Sequence, residues 1–200
     1  MELTPEEKTT LETYNVIAEG WAQEHSGGDF WRKELNIFKE LLPTGRVLEI
    51  GSGGGRDAKE LIALGYDYTG TDISSRFLEI AKRENPTGSF FLQSVYDLSF
   101  PGIQFDGFWV AAVLLHIPKK NIDSALQKIR AVVKNGGIGF IAIKKGDGER
   151  MESDKRFFAY YLEDEFAHIL QKNNFEIIQM SVHPSSERTI WLWFFVCVIK

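Results

Sequence analysis

The stretch Val47-Leu48-Glu49-Ile50-Gly51-Ser52-Gly53-Gly54-Gly55, followed by Tyr68-Thr69-Gly70-Thr71-Asp72, decides the fold. A short, apolar, β-prone run enters a glycine turn, a helix follows from about Arg56 to Leu64, and a second strand ends in a carboxylate. Glycine lets the backbone turn tightly and approach a ligand, and the helix N-terminus faces that turn. Asp72 lies where a carboxylate accepts hydrogen bonds from ribose hydroxyls. Elements in that order build a nucleotide-cofactor site.

The spacing of the glycines selects among cofactors. A dinucleotide fingerprint, G-x-G-x-x-G, opening at Gly51 requires glycine where Arg56 stands, which counts against a nicotinamide oxidoreductase. The chain reads Glu49-Ile50-Gly51-Ser52-Gly53-Gly54-Gly55, an acidic residue and then G-x-G-x-G. In this it resembles the class I S-adenosylmethionine-dependent methyltransferases. Asp97-Leu98-Ser99-Phe100, Phe105-Asp106-Gly107, Leu115-His116-Ile117-Pro118 and Val133-Lys134-Asn135-Gly136-Gly137 match, in order, later landmarks of that family. The resemblance covers residues 46–144 well and the ends loosely.

That resemblance implies S-adenosyl-L-methionine as cofactor and assigns roles residue by residue. Gly51, Ser52, Gly53 and Gly55 line the methionine portion, and Glu49 orients its ammonium. Asp72 takes the ribose and Ile73 packs on the adenine face. Many relatives carry an acidic residue after the third strand to accept from the adenine amino group. Here Ser94 and Val95 stand at those positions, a departure, with Gln93 as an alternative acceptor. Val110 and Ala111 form the floor near the sulfonium. Methyl transfer is an in-line displacement, so a base matters only where the acceptor must lose a proton; His116, after the fourth strand, is the candidate.

The N-terminal helices resemble the lid of relatives that act on small molecules. Tyr14, Trp21, His25, Phe30 and Trp31 make it aromatic; Tyr14 is expected beside the cofactor, where an aromatic face attracts a sulfonium, and Trp31 beside the acceptor. Arg156, Phe157, Phe158, Tyr160 and Tyr161 follow the fifth strand, where substrate-contacting insertions occur in the family. Of these Arg156, Phe157 and Tyr160 are assigned to the acceptor, whose site they make suited to a planar or acidic molecule. No metal site is assigned.

Length and charge set outer bounds. The 200 residues fit one domain, divided here into a helical lid over 1–42, a cofactor-binding core over 46–144, and a substrate-side loop, helix and terminal hairpin over 145–200. A net charge of −5 argues against broad nucleic-acid binding, which needs a concentrated basic face. The basic spots Lys119-Lys120, Lys144-Lys145 and Lys155-Arg156 read as solvated surface or as the edge of a site for an anion. No apolar run approaches the roughly 18 residues of a membrane span. An acidic N-terminus unlike a secretory signal, and the single cysteine, Cys197, favour the cytoplasm.

Strands are expected at 46–50, 66–71, 90–94, 105–112 and 138–144, with helices at 56–64, 74–84 and 119–133 between them. Two helical segments precede them, divided by His25-Ser26-Gly27-Gly28-Asp29; Thr4 caps the first, and Phe30, Glu34, Ile37, Phe38 and Leu41 form one face of the second. Gly146-Asp147-Gly148 opens a polar, mobile loop, a helix follows at 163–172, and a terminal hairpin turns around Pro184-Ser185-Ser186. The alternation specifies an α/β doubly wound sheet with helices on both faces; the family resemblance adds seven mostly parallel strands, the last antiparallel.

The leading function is methyl transfer from S-adenosylmethionine to oxygen, nitrogen or sulfur of a small molecule. A protein or RNA methyltransferase is the alternative enzyme, and a non-catalytic protein that keeps the pocket is the alternative class. Neither an Asn/Asp-Pro-Pro-Tyr/Phe segment nor a Pro-Cys nucleophile is present, and Cys197 sits in an apolar terminal strand. Acceptor and oligomeric state are encoded by no motif.

Overall fold

The computed structural model describes residues 1–27, 30–186 and 189–200. Seven strands form one sheet in the order β3-β2-β1-β4-β5-β9-β8, namely β1 (Arg46–Ile50), β2 (Asp67–Asp72), β3 (Ser89–Leu92), β4 (Phe105–Ala111), β5 (Val133–Lys144), β8 (Phe175–Ser186) and β9 (Thr189–Val198). The first five are mutually parallel, and β9 runs antiparallel between β5 and β8. Helices α1 (Pro5–Glu24), α2 (Arg32–Leu41), α3 (Arg56–Ala63), α4 (Ser75–Glu84), α5 (Ile122–Val132) and α6 (Glu163–Lys172) surround it. This is the doubly wound sheet with an antiparallel last strand.

Period-two alternation distributes the strand residues between two cores. Leu48, Ile50, Phe108, Val110 and Ile141 pack with Leu126 and Ile129 of α5 and Phe166 of α6. Val47, Trp109, Phe140 and Ala142 face the other way, onto Phe38 of α2, Leu61 of α3 and Leu78 of α4. Glu49, Ala111 and Lys144 alternate into this second set, so these three side chains reach the same side of the sheet.

Helix α1 begins as its sequence directs. Thr4 Oγ1 accepts from the Glu7 amide, Glu7 Oε2 accepts from the Thr4 amide, and Pro5 occupies the first turn. Glu7 Oε1 also accepts from Tyr96 Oη at 2.6 Å, and Thr10 Oγ1 accepts from the Phe157 amide at 2.9 Å. Farther along, Asn15 Oδ1 accepts from Ser74 Oγ at 2.7 Å and Glu19 pairs with Arg83 at 2.8 Å. The helix is thereby fastened along its length across the ends of the sheet.

Several local expectations are corrected. The segment after Gly146-Asp147-Gly148 is a hairpin, β6 (Glu149–Met151) with β7 (Phe157–Ala159), because Phe157, Phe158 and Ala159 are buried. Strand β8 continues through Pro184, which pairs with Ile190, to Ser186. Proline is accommodated because β8 is an edge strand. Strand β5 begins at Val133, five residues before the expected start, and the intervening glycines take up a register shift. In α2 it is Leu35 that is buried with Glu34 and Phe38, whereas Phe30 is exposed. Of the expected break between α1 and α2, Gly28 and Asp29 lie outside the described residues.

Candidate active site

Strand order reverses between β1 and β4, and ligands bind doubly wound sheets at the carboxyl ends of strands where that happens. A cavity of about 730 Å³ lies there, roofed by α1. Tyr14, Trp31, Glu49, Gly51, Ser52, Gly53, Gly55, Asp72, Ile73, Ser94, Val95, Ala111, His116 and Arg156 all line it.

The glycine turn owes its shape to left-handed backbone that side chains disfavour: φ is 74° at Gly51 and 87° at Gly55. A Cβ at Gly51 would run into Val113, and one at Gly55 into Asn85. Gly51 and Ser52 both donate backbone N–H to the Thr71 carbonyl, at 2.7 and 2.9 Å, tying the turn to the end of β2. Asp72 completes that tie, since its Oδ2 accepts from the Gly53 amide at 2.9 Å and its Oδ1 from the Ser74 amide at 2.8 Å. Each oxygen keeps a lone pair for a second donor. Burial pushes the Asp72 carboxyl up, and the amide donors oppose that rise.

Glu49 is buried at 3% exposure and accepts from Tyr68 Oη at 2.5 Å. Burial, and then the neighbouring carboxylate of Asp57, push its carboxyl well up. Asp57 itself is held by Arg56 Nε at 2.6 Å and Trp109 Nε1 at 3.1 Å. The Glu49 carboxyl is thus a buried hydrogen-bond acceptor in the cavity wall, opposed by Asp57 and favoured by Tyr68 and the Arg56 guanidinium. Ser52 Oγ is buried without a partner among the described residues, a second vacant valence beside the turn.

His116 joins the roof to the floor. Its Nδ1 contacts the Phe157 carbonyl at 2.6 Å and therefore carries the proton; its Nε2, 2.9 Å from Tyr14 Oη, accepts from that phenol. Tyr14 Oη in turn accepts from Arg156 Nη1 at 3.0 Å, while Asp154 binds the same guanidinium through Nε and Nη2. Burial lowers the His116 pKa to about 4, so the ring is neutral near pH 7 with both nitrogens engaged.

Other sequence-assigned residues fall elsewhere. Val110 does not line the cavity: alternation along β4 turns it into the core with Leu48 and Leu114, while Ala111 faces the site. The Phe157 ring is likewise core, its backbone serving His116 and Thr10 instead. Tyr160 lies outside the cavity, donating to Glu152 at 2.6 Å beneath Arg150. Trp31 lines the cavity but is only 2% exposed, edge-on to Phe140, Trp191 and Trp193. Ser94 Oγ accepts from the Tyr96 amide at 3.2 Å and Gln93 is engaged with the Ser99 backbone, and both residues line the cavity.

Sequence reasoning missed Tyr68, Asp57 and Trp109, and named Lys144 only within a basic spot read as solvated surface or as the edge of a site for an anion. For Tyr68 a signal existed: Gly70, in mid-strand, leaves the space through which the Tyr68 hydroxyl passes. For the others none did, because their roles arise from strand pairing.

Comparison with known proteins agrees with this geometry. Residues 47–137 match the family described as a methyltransferase domain. The chain is 32% identical over 141 residues to an uncharacterized protein of Methanocaldococcus jannaschii, covering 68% of this chain and 64% of that one. It is 32% identical over 101 residues to a ubiquinone biosynthesis O-methyltransferase of Mesorhizobium japonicum, covering 48% and 40%. Residues 47–137 are a class I, Rossmann-like methyltransferase domain. The chain thus spans less than two thirds of the length of these curated relatives. The fold of the methyltransferase domain and its flanks is that of Burkholderia thailandensis 1,6-didemethyltoxoflavin-N1-methyltransferase, with TM-score 0.81 at 20% identity over 100% of this chain and 92% of that one. Among the described residues no helix is long and apolar enough to cross a membrane.

Proposed function

We propose that the protein transfers the methyl group of S-adenosylmethionine to a small molecule. The observation that carries this reading is the buried Glu49 carboxylate beside the unpartnered Ser52 hydroxyl and the tethered Asp72, all on one cavity at the strand-order reversal. Those groups fit the cofactor: Glu49 would face its ammonium, Ser52 and the glycine turn its carboxylate, and Asp72 the ribose hydroxyls. Ile73, Ser94 and Val95 supply the adenine wall. When bound, the cofactor supplies an electrophilic methyl on a sulfonium, whose carbon–sulfur pair returns to sulfur as the acceptor's lone pair bonds to the methyl.

The chain's own part is placement and exclusion of water. Ala111 and Ala112 leave room at the end of β4, and α1 covers the site through the Tyr14 contact to His116. His116, neutral and bonded at both nitrogens, acts here as a positioning residue that holds Tyr14. The names of the quinone-biosynthesis relative and of the toxoflavin-precursor enzyme support a small acceptor. Cytoplasmic location, and a chain free of nucleic-acid partners, belong to the same reading.

The test is thermal unfolding with S-adenosylmethionine, S-adenosylhomocysteine and NAD in parallel. Either of the first two at a hundred times its Kd is expected to raise Tm by about 5 to 10 °C, and NAD not at all. A response to NAD alone overturns the reading. Replacing Ser52 by alanine is expected to change the stability of the free protein by less than about 0.5 kcal/mol, since no bond is lost, yet to weaken S-adenosylhomocysteine roughly fivefold by calorimetry.

A further inference from the structure

The cavity continues past the glycine turn, along the ends of β4, β5 and β9, where Lys144, Phe158, Trp31 and Trp191 line it. Lys144 is the last residue of β5 and partly buried, on the same side of the sheet as Glu49 and Ala111. Its Nζ stands 4.0 Å from the centroid of the Phe158 ring.

What sets Lys144 apart is the lack of a counter-ion among the described residues. Cations around it are paired: Arg156 with Asp154 at 2.5 Å, Arg150 with Glu152 at 2.9 Å, Lys145 with Glu163 at 2.6 Å and Lys119 with Glu165 at 2.7 Å. The two carboxylates that face Lys144, Glu152 and Asp154, are therefore already engaged, Glu152 also by the Tyr160 hydroxyl. Among the described residues no carboxylate forms an ion pair with Lys144. Burial, and next the nearby Arg156 guanidinium, hold its ammonium below the usual range, as expected where positive charge is in local excess. Trp31, in the wall of this half of the cavity, has its Nε1 buried without a partner among the described residues. Aromatic walls and an ammonium without an ion-pair partner among the described residues suit a ligand that is flat and carries an anionic oxygen.

Resting on the methyltransferase reading above, we infer that the methyl acceptor is a planar acid taken up as its anion, with Lys144 Nζ as the donor to the anionic oxygen. The anion supplies the counter-charge that no described residue gives Lys144. It also balances the one ammonium left over once Arg156 is paired with Asp154.

The test compares 2-naphthoate with the neutral, nearly isosteric 2-naphthamide, by quenching of tryptophan fluorescence from Trp21, Trp31 and Trp191 in protein saturated with S-adenosylhomocysteine. The naphthoate is expected to bind at least about tenfold more tightly to the natural protein. Lys144→Gln removes that preference and Lys144→Arg retains it, with S-adenosylhomocysteine affinity measured in each variant as the check on folding. Equal affinity for the two probes, no binding of the naphthoate at millimolar concentration, or a preference that survives in Lys144→Gln overturns the inference. Failure of S-adenosylhomocysteine to bind the natural protein is a separate result: it removes the cofactor reading, while the same probe comparison without it still decides whether Lys144 selects anions.

Discussion

Asp72→Ala is expected to weaken binding of S-adenosylhomocysteine by about 10- to 1000-fold, the loss of one or two charge-assisted hydrogen bonds to ribose hydroxyls. Two effects add. The carboxylate is the proposed ribose acceptor, and it also fixes the turn by accepting from the Gly53 and Ser74 amides. Asp72→Asn separates them, since the side-chain oxygen can still accept from one amide while the charge is gone. Calorimetric titration of both variants gives the comparison. Unchanged affinity in Asp72→Ala would show that the ribose lies elsewhere.

The second large effect is on stability below neutral pH. His116 has a folded-state pKa of about 4 against an ordinary 6.5, because it is buried and donates to the Phe157 carbonyl as a neutral ring. A histidine with a depressed pKa favours the fold while both states are neutral, so its contribution is fully present above pH 6.5. It is lost as pH falls from there toward about 4, to a total of about 3 kcal/mol. Glu49 and Asp72, whose pKa values are raised, have the opposite sign: what they contribute is present at low pH and lost as pH rises through their folded values. The difference between the natural protein and His116→Gln isolates the histidine from these carboxyls. Denaturant unfolding at a series of pH values is expected to show the natural protein losing stability relative to His116→Gln between pH 6.5 and 4. Parallel curves would show that the buried ring is readily charged in the fold.

Much of the site was legible because local rules and function coincide there. Gly51 and Gly55 require left-handed backbone, Asp72 ends a strand, and Ser74 caps α4, each readable from residue type and neighbours. Val110 and Ala111 show the limit. Both end an apolar strand, and only the pairing of β4 with β1 and β5 determines that Ala111 faces the cavity and Val110 the core. The tail after β5 misled for a related reason: it reads as a polar loop followed by substrate-side aromatics, whereas the burial of Phe157 and Phe158 makes it a hairpin, with Phe158 beside His116.

By itself the sequence determined the order of strands and helices, the glycine turn, the acidic strand ends and hence the nucleotide-cofactor geometry, because those depend on periodicity and backbone preference over a few neighbouring residues. Only the tertiary structure decided the chemistry across the cavity. Tyr14, His116 and Arg156 meet from three separate segments, the Glu152 and Asp154 carboxylates are spent on other cations, and Lys144 is left at the cavity wall over Phe158 with no ion-pair partner among the described residues. Charge balance in a buried site is a property of what three-dimensional packing brings within a few ångströms, and no spacing along the chain records it.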